Sequence, residues 1–203
     1  MDTFTFCFKG DRTYVHGTDL YNSICEYLEE RCSGSMPAID LWIRKVVTHN
    51  MEGCVLDEDE DEATPSPPAV LCRFESGGRA QKLCLFEQES LVTCRYAYDE
   101  ERIVRAAELL LEAKRIRLTE HLPFTLVELA VAMNKELVGQ LFRPAEGKWY
   151  FTRLNLERPL PTDYSSHVTV SFEASSGSRL TRSSIIVDGL AYGHIFFSLV
   201  RGH

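Results

Sequence analysis

Asn134 is the residue whose type and position most clearly suggest chemistry. Apolar residues around it recur at helical spacing and place one stripe on a predicted helix, formed by Val127, Ala130, Asn134, Leu137, Val138 and Leu141. An amide therefore lies in the middle of the face that should be buried. Because an unpaired buried amide costs about 1–3 kcal/mol, the sequence predicts a hydrogen-bond partner for it. That partner is either a group of the protein or a bound ligand, whose carbonyl oxygen or water molecule the amide could hold.

Glu128 and Lys135 form a second candidate pair on the same predicted helix. They lie seven residues apart, on a face at the edge of the buried stripe. Glu128 falls near the first turn of the helix. The plainer interpretation is a solvated or salt-bridged surface pair.

His16 and Asp19 lie three residues apart at the start of another predicted helix. Histidine can act as a general base near neutral pH, and the free N–H groups of a helix N-terminus can bind an oxyanion. Alternatively, Asp19 or Thr18 only caps the helix and His16 ends a strand. His121 is a weaker candidate, because Glu120 is the only carboxylate near it in sequence.

Several classes of function are disfavoured by the composition and by the motifs. The net charge of -8 argues against nonspecific nucleic-acid binding. We find no serine nucleophile elbow, phosphate-binding glycine loop, dinucleotide fingerprint or metal-ligand spacing, and we predict neither a cofactor nor a metal. The acidic and proline-rich stretch 57–68 lacks the spaced donors of a calcium loop and predicts a solvated loop. No apolar stretch approaches the roughly 18 residues that span a membrane.

The cysteines suggest a reducing compartment. There are seven, an odd number, and no signal peptide precedes them. Four lie in apolar, strand-like runs: Cys7, Cys72, Cys84 and Cys94. A free thiol behaves there as a small hydrophobic group, so the sequence predicts reduced core cysteines and a cytoplasmic protein.

Alternating and helical periodicities predict the elements that position these residues. In the first half we expect a strand at 3–8 with Phe4, Phe6 and Phe8 on one face, a helix from Thr18 or Asp19 to about Glu30, and strands near 38–48, 51–56, 69–76 and 80–87. In the second half we expect a strand at 91–98, helices at about 99–114 and 124–142, and strands at 148–158, 167–175, 179–187 and 191–200. Asp188-Gly189 predicts a hairpin between the last two strands.

The two halves repeat one pattern at an offset of about 100 residues, the length of a domain. Each half has a histidine shortly before a helix, then a Trp/Arg strand pattern, then a Phe-Glu strand that ends in small residues; the pairs are His16 and His121, Leu41–Arg44 and Trp149–Arg153, and Arg73–Gly78 and Ser171–Gly177. The sequence thus predicts duplicated α+β units at 1–90 and 91–203, the second with the extra helix at 99–114.

This order of elements resembles the hot-dog fold, in which an antiparallel sheet wraps a central helix. His16-Gly17 before a helix is similar to the His-Gly-Gly that precedes the helix in acyl-CoA thioesterases of the hot-dog superfamily, although Thr18 replaces the second glycine and Leu122 follows His121. The resemblance implies a tandem, or double, hot-dog: two antiparallel sheets, each wrapped around its own central helix.

The resemblance also implies a function. Members of the superfamily mostly act on acyl thioesters of coenzyme A or acyl carrier protein, as thioesterases or dehydratases. We therefore expect a thioesterase, with a dehydratase as a variant, or a non-catalytic module that binds an acyl ligand or a protein partner. Glu128 lies where such thioesterases carry a carboxylate base, and we expect a composite site of Asn134, Glu128, His16 and Asp19. The oligomeric state is left open, with a homodimer as one outcome.

Overall fold

The computed structural model describes residues 1–32, 36–60, 67–143, 147–164, 167–177 and 179–200. The chain divides into two compact units, Met1–Tyr98 and Asp99–His203. Both units combine helices with antiparallel strands, so the chain is an α+β protein. Residues 61–66 of the predicted acidic loop lie outside the described residues.

The first unit contains an antiparallel sheet, one helix and a separate pair of short strands. Its elements in chain order are β1 (Asp2–Phe4), β2 (Cys7–Lys9), α1 (Gly17–Arg31), β3 (Ile39–Ile43), β4 (His49–Asp57), β5 (Val70–Ser76), β6 (Arg79–Leu91) and β7 (Cys94–Tyr96). The sheet has the strand order β1-β4-β6-β5-β3. Strands β2 and β7 form a parallel pair of their own.

The single strand predicted at 3–8 is wrong, because that segment is divided between two sheets. Phe4 pairs within the main sheet, whereas Cys7 begins the pair with β7. Between them the N–H of Phe6 donates to the side-chain oxygen of Asn50 at 2.9 Å. Phe6 therefore leaves the ladder of the main sheet, although Phe4 and Phe6 are both buried.

A disulfide joins Cys7 to Cys94 across the β2–β7 pair, with the two Cα atoms 4.7 Å apart. The prediction that both cysteines are reduced is therefore wrong. The two residues are separated by 87 positions in sequence, and the parallel pairing that brings them together leaves no local pattern. The other cysteines are free thiols: Cys25, Cys32, Cys54, Cys72 and Cys84.

Helix α1 matches the predicted helix except at its first residue. His16 is the N-cap residue, in an extended conformation and without a side-chain capping hydrogen bond. The predicted cap at Thr18 or Asp19 is thus wrong, since both residues lie within the first turn. Asp19 still suits this end of the helix, where the macrodipole is positive.

The second unit contains two helices and a six-stranded antiparallel sheet. Its elements are α2 (Glu100–Ala106), β8 (Glu108–Leu110), β9 (Arg115–Leu118), α3 (Leu126–Phe142), β10 (Lys148–Leu156), β11 (Val168–Ser176), β12 (Leu180–Val187) and β13 (Leu190–Val200). The sheet has the order β10-β13-β12-β11-β9-β8, and α3 contacts β9 to β13. The predicted hairpin is confirmed, because Asp188 and Gly189 take positive φ angles of 50° and 82° between β12 and β13.

The helix predicted at 99–114 is too long, because α2 ends at Ala106. The next residue, Ala107, is extended, and Glu108–Leu110 then pairs with β9. The apolar residues 109–111 fit a helical stripe locally, but hydrogen bonding to a neighbouring strand determines their conformation.

Helix α3 confirms the helix predicted at 124–142 and begins with a capping box. The Thr125 side chain accepts a hydrogen bond from the Glu128 N–H, and the Glu128 carboxylate accepts one from the Thr125 N–H. Its C-cap residue, Arg143, takes the left-handed conformation. Most of the helix is buried, as expected for a run of apolar residues on almost every face. Within the described residues, no helix is long and apolar enough to cross a membrane.

We predict that Thr125→Ala lowers the free energy of unfolding by about 1 kcal/mol, because it removes one side of the capping box. The melting temperature should fall by about 2–4 °C, measured by circular dichroism or calorimetry. Thr125→Ser keeps the hydroxyl and should retain most of the stability. Thr119→Ala, at an exposed residue after β9, should stay within about 0.5 kcal/mol of the parent. Equal effects at the two threonines would contradict the capping role.

Candidate functional site

The amide of Asn134 is fully buried on the face of α3 that carries the apolar stripe. Its stripe neighbours Val127, Ala130, Leu137 and Val138 are buried as well. Among the residues that the structure describes, neither Oδ1 nor Nδ2 of Asn134 has a hydrogen-bond partner. The layer between α3 and its sheet thus holds one donor group and one acceptor in apolar surroundings. Such a pair can bind a carbonyl oxygen through Nδ2 and a water or hydroxyl through Oδ1.

Ser183 on β12 is another buried polar group of this unit, and the sequence prediction missed it. The alternating residues 181, 183, 185 and 187 form the buried face of β12, and α3 contacts this strand. Ser183 is fully buried, and its Oγ has no hydrogen-bond partner in the described part of the chain. The period-two pattern of the strand was the signal that could have identified it.

The Glu128 carboxylate is engaged at the start of α3. Its Oε2 accepts from the Thr125 N–H at 2.7 Å and from the Thr125 hydroxyl at 3.0 Å. Lys135 pairs with Glu100 of α2, at 2.8 Å between Nζ and Oε2. The surface pair proposed between Glu128 and Lys135 is therefore replaced by two separate interactions. The geometry assigns Glu128 a capping role that its position near the first turn already allowed.

The first unit contains a separate cluster around His16 and Asp19, centred on a lysine that the sequence prediction missed. Lys9 is fully buried, and its Nζ donates to Thr18 Oγ1 and to Asp19 Oδ1, both at 3.0 Å. The same Nζ lies 4.4 Å from the centroid of the Tyr98 ring. An isolated buried ammonium would be very costly, so the Asp19 carboxylate is the charge that allows Lys9 to be buried.

Asp19 also accepts a hydrogen bond from Tyr96, whose hydroxyl lies 2.8 Å from the same Oδ1. The second oxygen, Oδ2, is buried and has no hydrogen-bond partner among the described residues. We define the Lys9 cluster as Lys9, His16, Thr18, Asp19, Tyr96 and Tyr98. Within it one ammonium faces one carboxylate, and the Arg12 guanidinium lies 5.5 Å from the centroid of the Tyr98 ring.

The Thr18 hydroxyl lies between the side chains of His16 and Asp19 within the Lys9 cluster. The buried His16 contacts Thr18 Oγ1 through Nδ1 at 2.7 Å, while the hydroxyl lies 3.4 Å from Asp19 Oδ1. If Thr18 donates its proton to Nδ1, neutral His16 carries its proton on Nε2 and acts there as a donor. If Nδ1–H donates to Thr18, Nε2 is an acceptor and can act as a base. His16 and Asp19 are thus connected through a threonine rather than by a direct contact.

His121, the weaker candidate, lies apart from these features and stacks on Tyr164 with ring centroids 5.0 Å apart. Burial raises the pKa of the Tyr164 phenol, whose hydroxyl donates to the Leu122 carbonyl oxygen at 3.2 Å.

Within the described residues, no group of three or more His, Cys, Asp or Glu side chains could hold a metal ion.

The sequence matches no family model, and no curated protein matches it. Several solved structures are similar in fold. A tesB protein of Mycobacterium avium subs paratuberculosis is 12% identical, with a TM-score of 0.54 over 96% of this chain and 91% of that one. The pyran synthase domain from module nine of the sorangicin pathway is 12% identical, with a TM-score of 0.49 over 97% of this chain and 92% of that one.

The dehydratase domain of PpsC from Mycobacterium tuberculosis, solved in complex with C12:1-CoA, is 9% identical, with a TM-score of 0.48 over 92% of this chain and 85% of that one. At such low identities the likeness concerns the fold and not the activity. The predicted α+β class is confirmed, and the fold of the chain is similar to that of the tesB protein.

Proposed function

We propose that this protein binds acyl thioesters of coenzyme A or acyl carrier protein and hydrolyses them. The observation that carries the proposal is the Asn134 amide, buried on the main helix of the second unit with neither polar atom hydrogen-bonded among the described residues. The fold likeness supports the proposal, because the hot-dog superfamily mostly handles acyl thioesters. The double hot-dog arrangement, with each sheet wrapped around a central helix, belongs to the same proposal.

The proposed role of Asn134 follows from its chemistry. In a dry, apolar layer, Nδ2 donates to the thioester carbonyl oxygen and stabilises the negative charge that develops there during attack by water. Oδ1 accepts a hydrogen bond from the attacking water and orients it. Burial fixes the orientation of the amide itself, which therefore loses little freedom when a ligand binds to it.

Ala130 is small and precedes Asn134 by one helical turn on the same stripe of α3. In the proposal, the chain of the acyl group lies against Ala130 and the thioester lies near Asn134.

His16 is the proposed acid–base group, with Asp19 and Lys9 fixing the hydroxyl of Thr18 beside it. Glu128 is the alternative base suggested by the resemblance, although its carboxylate already caps α3. A dehydratase would use the same groups to move a proton instead of activating water.

A non-catalytic acyl-binding module is the second candidate, and one observation favours it. Both predicted carboxylates already have partners, Glu128 with Thr125 and Asp19 with Lys9. A binder needs only Asn134 and its apolar surroundings. A cytoplasmic location, consistent with the five free cysteines, and a homodimer complete the proposal.

We predict that Asn134→Leu abolishes hydrolysis across a panel of acyl-CoA thioesters and also prevents retention of a co-purified acyl species. The same substitution should raise the free energy of unfolding by about 1–3 kcal/mol, because it removes an unpaired buried amide without leaving a large cavity. Loss of function together with increased stability is the expected signature of a ligand-binding group. Turnover, mass spectrometry of bound ligands and urea unfolding measure the three effects.

Met133→Leu is the matched control, since it changes the neighbouring buried residue of α3 at similar volume. It should leave turnover and ligand retention within about twofold of the parent. If Asn134→Leu destabilises the protein and leaves ligand handling intact, Asn134 is a structural amide and the proposal fails. Retention of a ligand by the parent without turnover on any thioester would select the binding module over the enzyme.

Glu128→Gln separates the two roles of that residue. Glutamine can replace glutamate in a capping box, so stability should change by less than about 0.5 kcal/mol. If Glu128 only caps the helix, turnover by Glu128→Gln should equal that of the parent. A loss of about 100-fold or more in kcat at unchanged melting temperature would instead identify it as the general base.

A further inference from the structure

The Cys7–Cys94 disulfide lies on the same strands as two members of the Lys9 cluster. Strands β2 and β7 pair in parallel, with Cys7 opposite Cys94 and Lys9 opposite Tyr96. Residues two apart on a strand project to the same face, so the disulfide and the Lys9–Tyr96 pair share one face of this ribbon. The bond therefore fixes the distance between the strands that carry these two residues.

The β2–β7 ribbon is very short, and hydrogen bonds join it beside the disulfide, from the Gly10 N–H to the Tyr96 carbonyl oxygen and from the Arg95 guanidinium to the Arg12 carbonyl oxygen, both at 2.9 Å. Each strand has three residues, and the pair is separate from the main sheet of its unit. A two-stranded ribbon of this length is marginally stable by itself in water. The disulfide closes a sequence separation of 87 residues, for which the entropic advantage of a cross-link is large.

Both strands contribute hydrogen-bond donors to the Asp19 carboxylate at the start of α1. Lys9 from β2 and Tyr96 from β7 approach the same oxygen, Oδ1, at 3.0 and 2.8 Å. Lys9 also donates to Thr18, which in turn contacts His16. If β7 separates from β2, Tyr96 leaves this carboxylate and the packing around the Lys9 ammonium loosens.

We propose that Cys7 and Cys94 form a thiol–disulfide exchange site through which a cellular dithiol reductant controls the order of the Lys9 cluster. The oxidised form holds Lys9, Tyr96 and Asp19 together, and the reduced form releases β7. This inference is independent of whether the protein acts on acyl thioesters.

The exchange begins at Cys94, which is exposed, whereas Cys7 is half-buried. A thiolate of the reductant attacks Sγ of Cys94, forming a mixed disulfide and breaking the Cys7–Cys94 bond; the leaving Cys7 thiolate takes up a proton. The second thiol of the reductant then attacks the reductant's first sulfur atom, which is bonded to Cys94 in the mixed disulfide. This step releases Cys94 as a thiolate, which is protonated in turn. Two electrons pass to the protein, and the reductant becomes a disulfide.

Two of the free cysteines are poorly suited to compete in this exchange. Burial raises the pKa of the Cys25 thiol to about 12, and burial also raises the pKa of Cys72 above its ordinary value. Since the thiolate is the reactive form, both thiols should stay inert at neutral pH.

The first test counts thiols in the full-length chain. Alkylation in denaturant, followed by intact mass measurement, should label five cysteines after mild oxidation with oxidised glutathione and all seven after treatment with a dithiol. Titration in glutathione buffers should show reversible half-reduction. Labelling of all seven cysteines in the oxidised sample would overturn the proposal, as would resistance to reduction at reduced-to-oxidised glutathione ratios above about 100, typical of a permanent structural bond.

The second test measures hydrogen exchange of the oxidised and reduced chain. Reduction should accelerate exchange about tenfold or more in two segments, 94–98 and 16–20, because the cluster opens locally. Cys94→Ser should reproduce the reduced pattern, and Cys54→Ser, which removes a half-buried free cysteine, should leave the oxidised pattern unchanged. Faster exchange at 94–98 with no change at 16–20 would show a local staple without control of the cluster, and would overturn the proposal. Chemical reduction of the parent keeps the test valid if Cys94→Ser folds poorly.

Discussion

Burial of helix α3 against the sheet of the second unit is the constraint on which the candidate site depends. The helix begins at a well-defined capping box and contacts five strands, β9 to β13. Its residues 126 to 134 are almost all buried, so the register of the helix determines which side chain meets the sheet. Exposing any of these leucines and valines to water would cost about 1.5–3 kcal/mol each, and this cost holds the helix in place. Asn134 is therefore held in the interior although its own desolvation opposes burial. A position that is unfavourable by itself and enforced by its neighbours is typical of functional groups, where stability is exchanged for pre-organisation.

In the Lys9 cluster, too, neighbouring groups hold a side chain in a position where burial is unfavourable by itself, here because the side chain is charged. A lysine without exposed surface requires a counter-ion and further hydrogen bonds, and Asp19, Thr18 and the rings of two tyrosines supply them. Because Lys9 lies on β2 and its partners lie on β7, just after β7 and in the first turn of α1, their order depends on the pairing of two very short strands. A buried ion pair loses its advantage quickly when its geometry is disturbed. The disulfide at the start of this ribbon is thus in a position to influence the whole cluster.

The sequence predicted what depends on local periodicity and missed what depends on distant pairing. Helix α3 and the last four strands are confirmed, because apolar period and turn residues specify each of them locally. The helix predicted to 114 stopped at Ala106, since residues 108–110 gain more by pairing with β9 than by continuing a helical turn. Lys9 follows directly after the strand predicted at 3–8, and only the fold places Asp19 beside it. The buried position of Asn134 was predictable from its spacing. The lack of a hydrogen-bond partner among the described residues depends on how distant strands pack against α3, which the spacing does not indicate.

The most direct test is a crystal structure of the protein with a 2-oxoalkyl thioether analogue of an acyl-CoA, in which a methylene group between sulfur and carbonyl prevents hydrolysis. We expect the analogue's carbonyl oxygen to lie about 2.8–3.2 Å from Nδ2 of Asn134, with the acyl chain against Ala130 of α3. An Asn134 amide bonded only to protein groups, with the analogue bound elsewhere, would contradict this expectation.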